Sequence, residues 1–135
     1  MEYIFTNSAP KAIGPYSQAI KTDNMLFISG QIPIEPKTGE IIYNNIVSAT
    51  NIAITNVLNI VSAAGFDKED IVKITIYLKN MENFEKINEI YSSFFNEHKP
   101  ARAVVEVSNL PKNVDIEIEA ICVKNYGVTP EVKNT

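Results

Sequence analysis

The clearest hydrophobic rhythm runs from Ile46 to Ala64, where Ile46, Ala49, Ala53, Val57, Ile60 and Ala64 recur at spacings of three and four. Ile54, Leu58 and Val61 widen the stripe, Asn45 is placed to cap its start, and Gly65 suits a left-handed stop just beyond it. This spacing predicts a helix. After it, Val72, Ile74, Ile76 and Leu78 alternate with Lys73, Thr75, Tyr77 and Lys79, the period of a half-buried strand. Asn80 can cap a second helix of nearly equal length, with Phe84, Ile87, Tyr91, Phe94 and Phe95 as its stripe. Pro100 closes that helix, because the residue before a proline is pushed out of helical geometry.

Shorter runs complete the pattern. Tyr16–Ile20 and Met25–Ser29 flank Thr22-Asp23-Asn24, a polar turn suited to a hairpin, and Glu35-Pro36-Lys37-Thr38-Gly39 is a second turn. Ala103–Val107 and Val114–Ala120 read as two final strands. The order is hairpin, helix, strand, helix, two strands. It predicts an α+β fold, a single mixed sheet with two helices packed on one face. Met25 and Phe27 oppose Leu26 and Ile28, and Ala103, Val105 and Val107 oppose Val104. Strands apolar on both faces want cover on both, and with no third helix to supply it the expected cover is another subunit.

Composition narrows the classes. A chain of 135 residues is expected to form one domain, here over residues 1–124, with residues 125–135 as an aperiodic tail containing Gly and Pro. The net charge of −4 argues against a protein built to grip phosphate backbones, so a nucleic-acid partner is not expected. Cys122 and His98 are the single cysteine and single histidine, too few for a disulfide or a structural zinc site. Met1–Thr6 lacks the basic and apolar stretches of a secretory leader, and no apolar run approaches the roughly 20 residues that span a bilayer. A cytoplasmic location without membrane partners is expected. No phosphate loop, serine elbow or metal-ligand cluster is evident, so the expectation is chemistry with no metal and no cofactor.

The candidate chemistry lies in scattered polar residues. Arg102 opens a strand, where a guanidinium can hold a small carboxylate by two parallel hydrogen bonds; it also reads as a plain surface cation. Glu117, between Asp115 and Glu119, reads either as a base that steers water or as part of a solvated strand face. Gly14-Pro15 ahead of Tyr16 fixes a turn that holds a phenol at a strand head. Ser29 and Gly30 end a buried strand where a backbone can approach a ligand closely. Asn88 is a weak helix former in mid-helix. His98 is expected to cap the second helix's last turn, and Cys122 to pack as a small hydrophobe.

Taken together, several motifs in one order resemble the Rid family, the reactive intermediate deaminases of YjgF type. They are Ala12-Ile13-Gly14-Pro15-Tyr16-Ser17-Gln18-Ala19, Ser29-Gly30-Gln31-Ile32-Pro33, Pro36-Lys37-Thr38-Gly39-Glu40, Asn56-Val57 with Ala63-Ala64-Gly65, Pro100-Ala101-Arg102-Ala103 and Leu110-Pro111-Lys112-Asn113-Val114 running into Ile116-Glu117-Ile118-Glu119-Ala120. The resemblance implies a chorismate-mutase-like fold in a homotrimer with pockets at the subunit interfaces. It also implies hydrolysis of enamines and imines, such as 2-aminoacrylate and 2-iminopropionate, to 2-keto acids and ammonia. A non-catalytic binder of small carboxylates is the alternative use of the same pocket. The family's carboxylate-binding arginine falls on Arg102, its water-associated glutamate on Glu117 and its pocket tyrosine on Tyr16. Ser29, Gly30 and Asn88 fall on its substrate-binding positions. The chain departs from the pattern at Val104, where many relatives have cysteine, at the short connection Glu97–Pro100, and at Ala49 and Ile52.

Overall fold

The computed structural model describes residues 1–124 and 131–133, and resolves these patterns into six strands and two α-helices. In chain order they are β1 (Glu2–Ile4), β2 (Ala19–Thr22), β3 (Met25–Gln31), α1 (Ile46–Ala63), β4 (Ile71–Leu78), α2 (Phe84–Phe94), β5 (Ala101–Glu106) and β6 (Ile116–Val123). One mixed sheet holds all six strands in the order β1-β2-β3-β6-β4-β5. Among the described residues only β4 and β5 pair in parallel. β3 and β4 each pair antiparallel with β6, so they run parallel to one another with β6 slotted between them. The expected tail over 125–135 lies almost wholly outside the described residues.

The first helix forms as its sequence dictates. The Asn45 side chain accepts the Ser48 N–H at 3.1 Å, satisfying one of the orphan donors of the first turn. Gly65, at φ 82°, reverses the chain so that the Phe66 N–H returns to the Val61 carbonyl at 3.0 Å. By length and composition α1 would cross a membrane (mean hydropathy 1.5), yet its inward stripe of Ala49, Ala53, Ile54, Val57, Ile60 and Val61 is buried in the core. Ala49 is part of that core, whereas Ile52 faces outward.

The second helix is shorter than its stripe suggests. Asn80 does cap, but it caps a 3-10 turn over Met81–Asn83, by accepting the Glu82 N–H at 2.9 Å. The helix stops at Phe94, because Ser92 and Ser93 turn their hydroxyls back onto the Asn88 and Ile90 carbonyls. Phe95 then leaves helical geometry to bury its ring against Tyr91, with centroids 4.7 Å apart. His98 is therefore not a helix cap. It lies in the connection to β5, where its Nε2 donates to the Ile71 carbonyl at 2.6 Å and ties the loop to the head of β4.

β1 carries too few residues to announce itself, and it forms by pairing with β2 through Tyr3↔Ile20. Cys122 is buried between its partners Leu26 and Ile71, and burial pushes its thiol up to about 12, so it packs as a hydrophobe.

Both helices cover the face that presents Leu26, Ile28, Ile74, Ile76, Ile116 and Ile118. Among the described residues nothing covers the other face. Its side chains include Phe27 and Val105, 41% and 42% exposed, with Ile121 and Tyr77 on the strands between them and Ile20 beside Phe27 on β2.

Candidate active site

Opposite each other on the open face, β3 and β6 build a cavity of about 590 Å³. It is lined by Tyr16, Ser29, Gly30 and Glu117, with Glu119 and Lys112 beside them. A bulge explains how two consecutive β3 residues reach it. Ile28 pairs with Ala120 and Gln31 with Ile118, so β3 spends one extra residue over that interval. Ser29 and Gly30 both turn toward the open face as a result.

Gly30 is where the fold needs glycine. A Cβ built on it would stand 2.6 Å from Glu117 Oε2 and 2.8 Å from its Cδ, so the carboxylate lies across the bare backbone. The backbone does approach something closely here, and it is the Glu117 side chain. Glu117 is half-buried, and desolvation, then the charge of Glu119, push its carboxyl above the usual 4.5. Glu119 in turn accepts the Tyr77 hydroxyl at 2.8 Å, which holds that phenol above its usual range. Because the negative charge of Glu119 adds to the desolvation that raises Glu117, Glu119→Gln is expected to move the acidic limb of kcat/KM to lower pH. Glutamine still accepts from Tyr77, so the geometry stays. A pH–rate profile that does not move would show that Glu119 does not tune Glu117.

The walls are pinned by buried amides whose roles the sequence did not reveal. Gln18 accepts the Thr6 N–H at 2.8 Å and donates to the carbonyls of Thr6 at 3.1 Å and Pro10 at 2.8 Å, folding the 6–10 segment over one side. Asn56, buried on the inward face of α1, donates to the Ile34 carbonyl at 2.9 Å and holds the loop after β3. A polar residue among α1's apolar positions was the signal for it. Gly14, at φ 128°, lets the Tyr16 N–H bond to the Gly14 carbonyl at 2.9 Å, and the phenol stands at the cavity rim, 54% exposed. The Ser29 hydroxyl donates to the Ser17 carbonyl at 2.6 Å, which leaves its oxygen to the cavity as an acceptor.

Arg102 and Asn88 are elsewhere. Arg102 pairs in register with Ile74, whose side chain is in the core, so Arg102 faces the helices. Its Nη1 donates to Asn88 Oδ1 at 2.9 Å. Glu117 pairs with Tyr77 on the open face, and β4 separates β5 from β6. Two strand spacings and three residues of offset put their Cα atoms about 14 Å apart, with side chains on opposite faces. β5 and β6, consecutive in sequence, are thus not neighbours in the sheet, and within one protomer Arg102 and Glu117 do not share a pocket. Asn88 sits against Arg102, away from the cavity.

The family model described as Endoribonuclease L-PSP matches residues 6–124. A RutC family protein of Pyrococcus horikoshii is 58% identical over 123 residues, covering 91% of this chain and 98% of its own. The 2-iminobutanoate/2-iminopropanoate deaminase of Escherichia coli is 48% identical over 124 residues, covering 90% and 96%. Among solved structures, Escherichia coli TdcF with bound serine superposes with TM-score 0.89 at 44% identity, over 93% of this chain and all of the other. The Escherichia coli YjgF gene product superposes with TM-score 0.89 at 46% identity, with the same coverage.

Proposed function

The chain belongs to the Endoribonuclease L-PSP family, which includes the Rid and YjgF-type proteins, and we propose that it hydrolyses small enamine and imine carboxylates to 2-keto acids and ammonia. One observation carries the reading. A glutamate with raised proton affinity lies over a bare glycine in a cavity beside an uncovered sheet face. On this reading three copies assemble through those open faces, and Arg102 of one copy reaches the Tyr16–Ser29–Gly30–Glu117 cavity of the next. The exposed Phe27 and Val105 are the apolar surface such contacts would bury.

The chemistry follows from these groups. Arg102 holds the substrate carboxylate by a charge-assisted pair worth about 1.5–3 kcal/mol. An enamine first takes a proton at its terminal carbon to become the iminium. Glu117 accepts a proton from a water as the oxygen bonds to the carbon bearing nitrogen, giving a carbinolamine. The proton returns to nitrogen, Glu117 takes the hydroxyl proton as the C–N bond breaks, and ammonia leaves as the carbonyl forms. Ser29, whose own proton is committed to Ser17, accepts from the iminium N–H, and Tyr16 closes the rim. None of these steps calls on a cofactor.

The names of relatives support both halves of the reading, the reaction through the Escherichia coli deaminase and the ligand class through serine bound to TdcF. Bound serine also favours the alternative, a carboxylate binder without turnover. Net charge −4 and the Glu117–Glu119 pair favour a small carboxylate over a phosphodiester. The test generates 2-iminopropionate in place with an amino-acid oxidase and follows ammonia and pyruvate. Faster release with the protein present is expected. Serine or pyruvate binding with no acceleration would establish the binder instead.

A further inference from the structure

Arg102 is the single arginine in a chain with eleven lysines, and its guanidinium is packed against aromatic rings. Its Cζ lies 4.6 Å from the Tyr91 ring centroid and 5.8 Å from that of Phe84. Phe84, Asn88 and Tyr91 stand at i, i+4 and i+7, which is one face of α2. A guanidinium lying on a ring keeps its N–H groups free to donate sideways, which an ammonium cannot do. One of those N–H groups goes to Asn88.

Tyr91 is itself fixed. It is 8% exposed, its ring packs on Phe95 at 4.7 Å, and its hydroxyl finds no hydrogen-bond partner among the described residues. What it offers its surroundings is therefore its ring. Burial raises the phenol's proton affinity despite the nearby Arg102, so the ring remains neutral.

We propose that Tyr91 is a positioning residue for carboxylate recognition, its ring a seat that holds the Arg102 guanidinium flat while Asn88 fixes one edge and leaves the remaining donors for the substrate. The role rests on the deaminase reading for its effect on turnover, though the seat itself does not depend on it. Asn88, on this view, acts through Arg102 and does not touch the substrate.

The experiment compares wild type, Tyr91→Phe and Tyr91→Leu on an imino acid and on the carboxamide of the same imino acid. Tyr91→Phe keeps the ring, and its KM is expected within about twofold of wild type. Tyr91→Leu should raise KM for the carboxylate by about 2- to 30-fold, the range of a cation–π contact, with kcat little changed. The carboxamide should be unaffected, so the carboxylate-to-carboxamide preference falls. A merely structural role would lower both substrates together, and an unchanged preference overturns the proposal.

Nitrogen NMR supplies a readout that needs no activity, since the single arginine gives one unambiguous guanidinium signal. Rotation about its Cζ–Nη bonds is expected to be slow in wild type and Tyr91→Phe. Free rotation in wild type overturns the seat even if Tyr91→Leu does not fold. Absence of imine hydrolysis with slow rotation retained would sink the deaminase reading and leave the seat standing.

Discussion

Arg102→Ala and Glu117→Gln, each nearly inactive alone, are expected to regain activity when the two variants are unfolded together and refolded, or co-expressed. The reason is geometric. The two side chains leave opposite faces of one sheet, two strands apart, so a working pocket must take them from different copies. Removing the anchoring guanidinium should cost about 10- to 150-fold in kcat/KM, the equivalent of a lost charge-assisted pair. Removing the base should cost about 10²–10⁴-fold. In a three-fold ring assembled at random from equal amounts, about a quarter of the pockets receive both wild-type residues. Recovery near that fraction is the expected result. No recovery would mean that each protomer supplies its own complete site, or that the pair does not act together.

Glu117→Gln carries an internal control against simple misfolding. Its folded-state proton affinity is raised, so the folded protein binds more protons than the unfolded chain as pH passes from 4.5 up through the folded value. Stability falls across that window and stays lower above it. Glutamine removes this penalty, so the inactive variant should melt no lower than wild type at pH 7. A lower melting temperature would contradict the direction of the shift.

The second large effect is expected from Gly30→Ala. The new methyl would sit 2.6 Å from Glu117 Oε2, 2.8 Å from its Cδ and 3.0 Å from its Cγ. The opposing atoms end a flexible side chain, so the carboxylate swings aside and the backbone stays. The fold should change in stability by about 1 kcal/mol at most. The catalytic loss should be about 10²-fold or more, because an ångström of misplacement at a reacting group costs that much. The measurement is kcat/KM beside a thermal melt. Full activity would show that Glu117 does not work from the position it holds over Gly30.

Much of this was legible in the residues. The stripe from Ile46 and the caps at Asn45 and Gly65 gave α1 its bounds to within a residue, because helix chemistry is local. β4 followed from alternation over Lys73–Leu78, but a bulge at its head exposes Val72 and buries Ile71 in its place, which the alternation did not show. The second helix was overdrawn because Ser92, Ser93 and Phe95 respond to carbonyls and core space that spacing alone does not show. Tyr16, Ser29, Gly30 and Glu117 were read as site residues, and they do line one cavity. Asn56 stood out as a polar residue in an apolar stripe, but its partner, like those of Gln18 and Tyr91, is fixed only when distant segments meet.

By itself, then, the sequence determined most of the elements and the family motifs, and singled out the side chains proposed to carry chemistry, since periodicity, caps and turns depend on residues a few positions apart. Only the tertiary structure decided how those side chains meet. β5 reads Ala-Arg-Ala-Val-Val-Glu, with no clean alternation, so nothing in it says which face Arg102 takes. That choice was made by its register with Ile74 and by the seat on α2. β6 enters the sheet between β3 and β4, a pairing between segments far apart in the chain, and it carries Glu117 to the face that Arg102 does not share. Non-local pairing of this kind is settled by which arrangement buries the apolar side chains beneath the helices, a property of the whole chain that no local pattern encodes.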